Sequence, residues 1–113
     1  MFQDIFPIEK RKAESNRVMN KYPDRIPCVI QKARYSKLPK ILKIKYLVSI
    51  NSSMADIVYS IRSRIKLEPH QSLFFMVNDS LLASSCIISQ IYPLMKDEDG
   101  FLYIYYAEES TFG

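Results

Sequence analysis

The side chains that could act as nucleophiles or bases are few in this 113-residue sequence and lie far apart along it. There is one histidine, His70, and there are two cysteines, Cys28 and Cys86. A catalytic cysteine needs a nearby base, but His70 lies in a Glu-Pro-His-Gln-Ser segment that is typical of a turn. Cys28 alternates with Ile26 and Ile30, as residues on the buried face of a strand do. We therefore expect no catalytic residue and no enzymatic activity.

The sequence also lacks the patterns that bind metals or cofactors. Its two cysteines have neither metal-ligand spacing nor the arrangement of a disulfide framework, and they should be free thiols. Its two glycines cannot form a glycine-rich phosphate loop. Asp97, Glu98 and Asp99 form an acidic cluster, which we interpret as a solvated turn before the last strand. No metal ion and no cofactor is expected.

Charge is distributed unevenly along the sequence. Residues 1–66 contain 15 Lys and Arg against 5 Asp and Glu, whereas residues 67–113 contain one Lys against 7 acidic residues. This pattern predicts a basic face and an acidic face on one small domain. Acidic peptides, nucleic acid and anionic lipid head groups would all suit the basic face. Neither a signal peptide nor an apolar run long enough to span a membrane is present, so we expect a soluble, cytosolic protein.

Hydrophobic periodicity and turn residues predict an α+β fold. The expected helices cover residues 8–21, 54–65 and 87–92. The expected strands cover residues 26–32, 46–50, 73–77 and 101–106, with a short partner strand at Leu81-Leu82, and the first two should form a hairpin. Ser53 and Asp56 should form a capping box that starts the middle helix. Asn78-Asp79 should form a turn, and Pro93 should end or kink the last helix.

Several sequence blocks support a resemblance to a known family. In chain order they are Glu9-Lys10-Arg11, Lys21-Tyr22-Pro23-Asp24-Arg25-Ile26-Pro27, Lys45-Tyr46-Leu47-Val48, Ile61-Arg62-Ser63-Arg64-Ile65, Leu73-Phe74-Phe75-Met76-Val77-Asn78, Phe101-Leu102-Tyr103-Ile104 and Glu108-Glu109-Ser110-Thr111-Phe112-Gly113. Together they closely resemble the autophagy-related 8 family of ubiquitin-like modifiers, which includes the GABARAP proteins and the microtubule-associated light chains. The resemblance runs from about Phe6 to Gly113.

The resemblance implies a ubiquitin-like β-grasp, in which a mixed sheet wraps the helix at residues 54–65. The chain would consist of an N-terminal helical extension at residues 1–25, a ubiquitin-like domain at residues 26–106 and a flexible C-terminal tail at residues 107–113. These boundaries are expectations that follow from the family's fold.

The resemblance also implies a modifier that acts in autophagy. An activating and a conjugating enzyme would join the carboxylate of Gly113 to the amine of phosphatidylethanolamine, and a deconjugating protease would reverse this. Glycine has no side chain to obstruct entry into such active sites. Family members often carry residues beyond this glycine, so Gly113 is either the encoded terminus or one exposed by processing. The protein would be cytoplasmic, and on autophagosomes or related membranes when lipidated.

Family members bind cargo receptors through aromatic-x-x-aliphatic peptides, which add as a strand to the edge of the sheet. By position, the aromatic side chain would enter a pocket formed by Glu14, Val18, Pro27, Val29, Lys45, Leu47 and Phe101. The aliphatic side chain would enter a second pocket formed by Tyr46, Val48, Ile57, Ser60 and Ile61. Acidic residues that flank the motif would contact Arg25, Lys43 and Arg64.

The second pocket departs from the family pattern. Ser49 stands where proline is usual, Ser52 and Ser60 stand where large apolar residues are usual, and Ile57 stands where phenylalanine is usual. We expect recognition of the aromatic side chain to be retained and the aliphatic preference to shift.

Two other interpretations use the same residues. One is a ubiquitin-like adaptor that binds peptides but is never conjugated, and that does not need Gly113. The other is a protein that binds tubulin or another acidic partner through its basic N-terminal half, as the family's light chains do with microtubules. Tyr22, Tyr35 and Tyr46 could also stack on bases, but no specific nucleic acid partner is expected.

Overall fold

The computed structural model of the chain describes residues 2–108, so the predictions about residues 109–113, including Gly113, lie outside the described residues. In chain order the elements are α1 (Phe2–Ile5), α2 (Ile8–Lys21), β1 (Arg25–Lys32), β2 (Lys45–Ser49), α3 (Met54–Ile65), β3 (Phe74–Val77), β4 (Ser80–Leu81), α4 (Ile88–Met95) and β5 (Leu102–Ala107). The predicted helices at residues 8–21 and 54–65 are confirmed. The predicted strands are present with slightly shifted bounds.

The five strands form one mixed sheet in the order β2-β1-β5-β3-β4. β1 pairs antiparallel with β2, which confirms the predicted hairpin, and parallel with β5. β3 pairs antiparallel with β5 and with β4. This order leaves β2 at one edge of the sheet, next to the central β1 and β5 pair.

Alternation along β1 divides the buried residues between the two faces of the sheet. Cys28 and Ile30 belong to the main core, as predicted for Cys28, and the buried face of α3 belongs to the same core. That face consists of Met54, Ile57, Ile61 and Ile65. Val29 belongs instead to a second cluster, with Phe2 of α1, Phe101 and Tyr103. The N-terminal helices therefore lie over the face of the sheet opposite α3.

Local sequence signals explain where α3 begins and where the turn between β3 and β4 lies. The Asp56 amide donates to Ser53 Oγ (3.4 Å), and the Ser53 amide donates to Asp56 Oδ2 (2.9 Å). This is the predicted capping box, with Asp in place of the usual Glu. Asn78 and Asp79 have φ angles of 51° and 62°. Positive φ at both central residues is what a two-residue hairpin turn of type I′ requires.

Several element ends differ from the sequence prediction. Pro93 does not end α4, which continues to Met95. Pro93 and Ser89, the residue one helical turn earlier, are both exposed, so solvent can satisfy the carbonyl that proline leaves unpaired. Ala107 is the last residue of β5 and is buried, rather than the first residue of a polar tail. α1 was not predicted, because four residues are too few to show a helical period.

The acidic cluster before β5 is not simply a solvated turn, because Asp99 is buried. Its carboxylate accepts hydrogen bonds from Arg11 Nη1 (2.6 Å), the Tyr103 hydroxyl (2.5 Å) and the Phe101 amide (2.8 Å). Burial, together with the hydrogen bond to Asp99, raises the pKa of Tyr103. Arg11 belongs to α2, so the buried carboxylate of Asp99 joins the N-terminal helices to the rest of the fold.

Candidate binding groove at the edge of the sheet

The outer edge of β2 has backbone groups free to pair with another strand. Hydrogen bonds from the Ile30 amide to the Ile44 carbonyl (2.8 Å) and from the Ile50 amide to the Asp24 carbonyl (3.1 Å) fix the pairing with β1. Because antiparallel pairs alternate between bonded and non-bonded positions, the backbone groups of Lys45 and Leu47 point away from β1. No strand among residues 2–108 pairs with that side of β2.

A cavity of about 350 Å³ lies between β2 and the N-terminal helix α2, and we call it the α2-side cavity. It is lined by Glu14, Val18, Pro27, Lys43, Lys45, Tyr46, Leu47 and Phe101. Six of the seven residues predicted for the aromatic pocket are thus brought together. Val29 is the exception, because its side chain is completely buried in the cluster with Phe2 and does not reach the cavity.

An ion pair closes one wall of the α2-side cavity. Lys45 Nζ lies 2.6 Å from Glu14 Oε1 and 5.8 Å from the centre of the Phe2 ring. The aromatic ring belongs to α1, which sequence patterns did not reveal. Because the cavity combines a buried aromatic floor at Phe101 with a charged rim, it suits a large apolar side chain whose neighbours are acidic.

A second cavity, of about 250 Å³, lies between β2 and α3, and we call it the α3-side cavity. All five residues predicted for the aliphatic pocket line it, namely Tyr46, Val48, Ile57, Ser60 and Ile61. The lining also includes Arg25, Ser49, Ser52 and Asp56. The apolar floor of this cavity is therefore surrounded by hydroxyl and charged groups.

Two of the three predicted basic contacts, Lys43 and Arg64, lie beside the ring of Tyr46, which lines both cavities. Lys43 Nζ lies 5.1 Å and Arg64 Cζ 5.4 Å from the centre of the Tyr46 ring. The Tyr46 hydroxyl donates to the Lys43 carbonyl (2.7 Å). Burial raises the pKa of Tyr46, and the charge of Arg64 opposes that rise. Arg25 lines the α3-side cavity together with Tyr46.

The two cavities lie on opposite faces of the sheet and share one edge. Side chains alternate along a strand, so Tyr46 and Val48, which pack on the main core, lie on the α3 face of β2, and Lys45, which pairs with Glu14, lies on the α2 face. Tyr46 and Leu47 line both cavities where these meet at the edge. In a strand added beside β2, two side chains three residues apart would also point to opposite faces. The groove can therefore receive two anchoring side chains at that spacing.

Among residues 2–108, no hydrogen bond joins His70 to Cys28 or Cys86, the residues considered for catalysis. Burial raises the pKa of Cys28 to about 12, which keeps the thiol protonated. His70 lies in an exposed turn after α3, and both cysteines are free. Within residues 2–108, no group of three or more His, Cys, Asp and Glu side chains is placed to hold a metal ion.

The mixed sheet with a central parallel pair and one long helix across a face is the ubiquitin-like fold, here preceded by two helices. The family model described as "Autophagy protein Atg8 ubiquitin like" matches residues 10–113. The chain therefore belongs to the Atg8 family and is a ubiquitin-like autophagy protein.

Similarity to individual proteins extends over nearly the whole chain. Autophagy-related protein 8 of Candida glabrata is 46% identical over 112 residues, which are 99% of this chain and 95% of that protein. Autophagy-related protein 8d of Arabidopsis thaliana is also 46% identical and matches 99% of this chain and 93% of its own length. The crystal structure of Trypanosoma brucei ATG8 superposes with a TM-score of 0.91 at 35% identity, covering 99% of this chain and 97% of that one.

No helix within residues 2–108 is both long and apolar enough to cross a membrane.

Proposed function

We propose that the protein is conjugated through Gly113 to phosphatidylethanolamine on autophagosomal membranes, and that it recruits cargo receptors through the groove along β2. Membership of the Atg8 family supports the conjugation. The two cavities on opposite faces of one free strand edge support the peptide binding, and this is the observation on which the binding proposal rests.

The receptor peptide would add to the sheet as a strand beside β2. Its main chain would bond to the outward amide and carbonyl groups of Lys45 and Leu47. The aromatic side chain of an aromatic-x-x-aliphatic motif would enter the α2-side cavity, above Phe101, and the aliphatic side chain would enter the α3-side cavity. Acidic residues beside the motif would contact Arg25, Lys43 or Arg64.

In the proposed conjugation the protein supplies the acyl group and no catalytic side chain. An activating enzyme would form an adenylate from the carboxylate of Gly113 and ATP, which releases pyrophosphate, and its cysteine thiolate would then displace AMP to form a thioester. Exchange with a cysteine thiolate of the conjugating enzyme would pass the acyl group on and free the first thiolate. The amine nitrogen of phosphatidylethanolamine would then form an amide bond with the Gly113 carbonyl carbon, and the enzyme's thiolate would leave. Thr111 and Phe112 would lie in the enzymes' active-site clefts, and a deconjugating protease would hydrolyse the amide. The protein would be cytoplasmic before this reaction.

Reconstitution tests the conjugation. The protein is incubated with activating and conjugating enzymes of matched origin, ATP and phosphatidylethanolamine vesicles, and its mass is measured. We expect a mass gain of one lipid in the wild type and none in Gly113→Ala, because the added methyl group obstructs a terminus that must enter narrow active sites. An active enzyme pair that gives no adduct with the wild type would overturn conjugation and favour an adaptor that uses the groove alone.

Binding to tubulin or another acidic partner is a secondary candidate, supported by the excess of Lys and Arg over Asp and Glu in residues 1–66. Such binding should weaken steeply as salt is added, because exposed charges are screened.

A further inference from the structure

The segment between β1 and β2 carries an apolar side chain that projects into solvent. Leu42 is fully exposed, and no other large hydrophobic residue in the described part of the chain is as exposed. Single exposed leucines are common on protein surfaces. What distinguishes Leu42 is how it is held and what surrounds it.

The backbone on both sides of Leu42 is fixed to the core. The Tyr106 hydroxyl donates to the Pro39 carbonyl (2.6 Å) and accepts from the Ile41 amide (3.1 Å). Ile41 is itself buried in the main core. The ladder to β1 resumes at the Ile44 carbonyl. Leu42 therefore projects from an anchored segment, which we call the Leu42 tip and define as residues 37–43.

Basic residues surround the apolar side chain. Lys37, Lys40 and Lys43 are exposed, and neither Lys37 nor Lys40 forms an ion pair with any residue that the structure describes. At the base of the tip, Lys40 and Ile41 line a cavity of about 220 Å³ together with Ile5, which is also exposed. An apolar side chain among exposed lysines is a combination that suits the interface of an anionic membrane.

The course of the chain brings the Leu42 tip close to the proposed lipid attachment. The Glu108 carboxylate accepts hydrogen bonds from Ser36 Oγ (3.2 Å) and from the Lys37 amide (3.1 Å). Gly113 follows five residues later. Five residues span at most about 18 Å when fully extended. If a lipid is attached at Gly113, the bilayer therefore lies within a short reach of the tip.

We propose that the Leu42 tip is a second, noncovalent membrane contact, in which Leu42 enters the interface of an anionic bilayer and Lys37 and Lys40 bind its head groups. The position of the bilayer rests on the proposed conjugation, whereas the chemistry of the tip does not. The contact gives the domain a preferred orientation on the membrane that a tail alone would not impose.

Fluorescence can test the contact directly, because the sequence contains no tryptophan. A Leu42→Trp variant is coupled through Gly113→Cys, in a Cys86→Ser background, to a maleimide lipid in vesicles of phosphatidylcholine and phosphatidylserine. Cys28 is buried and will not compete for the maleimide. The matched control is Leu94→Trp, since Leu94 is also strongly exposed but lies on α4.

We expect the emission of the Leu42→Trp variant to shift to shorter wavelength and to be quenched by brominated lipid, and that of the Leu94→Trp variant to do neither. Adding Lys37→Ala and Lys40→Ala should lower the ratio of membrane-bound to free tip by roughly thirtyfold. Adding Lys10→Ala and Lys12→Ala instead, on α2, should leave the ratio nearly unchanged.

Absence of quenching in Leu42→Trp, or equal quenching in the two tryptophan variants, would overturn the membrane contact. The membrane contact would also be overturned if alanine at Lys10 and Lys12 abolished the quenching while alanine at Lys37 and Lys40 did not. A Leu42→Trp signal that responds to tubulin and not to vesicles would reassign the tip to a protein partner. Because the tether is chemical, failure of enzymatic conjugation would affect the proposed function and leave this test intact.

Discussion

Ser15 on α2 and Gly100 before β5 are packed so closely that a Cβ atom on Gly100 would overlap Ser15 Oγ. The same hydroxyl donates a hydrogen bond to the Asp99 carbonyl (2.5 Å), and Gly100 has a φ of 91°. Gly100 thus meets two requirements at once, because it adopts a backbone angle that side chains disfavour and it lets α2 approach.

Gly100→Ala should destabilise the protein by at least about 1–3 kcal/mol, which is the cost of the backbone angle alone. The overlap with Ser15 adds to this cost, since the Ser15 side chain must move or α2 must shift. Urea unfolding of the two proteins measures the difference. Adding Ser15→Gly should recover part of the loss, and equal midpoints for wild type and Gly100→Ala would contradict the close packing of Gly100 against Ser15.

Asp99→Ala should lower the free energy of unfolding by about 3–5 kcal/mol, because it removes a fully buried carboxylate and leaves Arg11, the Tyr103 hydroxyl and the Phe101 amide without their acceptor. Glu98→Ala is the control, since Glu98 is the exposed neighbour in the same turn and should change stability by no more than about 0.5 kcal/mol. Thermal or urea unfolding of the Asp99→Ala and Glu98→Ala variants measures both changes in stability. Similar effects at both positions would mean that Asp99 behaves as a solvated side chain after all.

The spacing of the peptide motif should decide whether it binds. An acidic peptide with an aromatic and a leucine three residues apart can fill both cavities, whereas spacings of two or four residues direct both side chains to one face. Calorimetric titration of the three peptides should show at least a tenfold preference for the three-residue spacing. Equal affinities would argue against strand addition beside β2.

Ser60→Leu should tighten binding of an aromatic-x-x-Leu peptide by about 1–3 kcal/mol, because it adds apolar surface to the α3-side cavity. Ser63→Leu, on the same helix but not in the cavity lining, is the control and should leave affinity unchanged. If the Ser60→Leu variant binds the peptide no better than the wild type, then the serines do not set the preference of this cavity.

Alkaline pH should destabilise the fold partly through Cys28. Burial raises the pKa of its thiol from an ordinary value of 9.0 to about 12, so the folded state retains a proton that the unfolded state loses. This contribution is complete below pH 9 and is lost as the pH rises towards 12. Between pH 8 and pH 10 the free energy of unfolding should fall by about 1.4 kcal/mol for this reason.

Cys28→Ala removes that titration, so the stability difference between wild type and variant should shrink by about this amount from pH 8 to pH 10. Urea unfolding at the two pH values measures it, and Cys86→Ala, at a partly exposed position, is the control. A difference that does not change with pH would contradict the effect of burial on Cys28.

Local patterns were sufficient to predict most of the elements. The stripe of isoleucines on α3 and the Ser53–Asp56 capping box are readable because their members are three or four residues apart. The family resemblance supplied the groove residues, and the structure brings nearly all of them to the edge of β2. Their role in peptide binding remains a prediction.

Long-range contacts account for what the sequence did not reveal. Asp99 looked like one of three solvated acids, because its partner Arg11 lies 88 residues earlier in the chain. The resemblance places Val29 in the aromatic pocket, whereas the aromatic cluster under α1 buries it. α1 gives no signal in the sequence, since four residues cannot show a helical period and the residue that Phe2 packs against in the sheet, Phe101, is remote in sequence.

The parallel pairing of β1 with β5 also bears on how the chain reaches its native state. Cys28 pairs with Leu102, so an interior strand of the sheet acquires its second neighbour from a segment synthesised much later. A loop of that length must close before the interior pairing can form, which slows folding relative to proteins with mostly local contacts. Until β5 has been made, the nascent chain exposes one unpaired side of β1, and chaperones should recognise it at that stage.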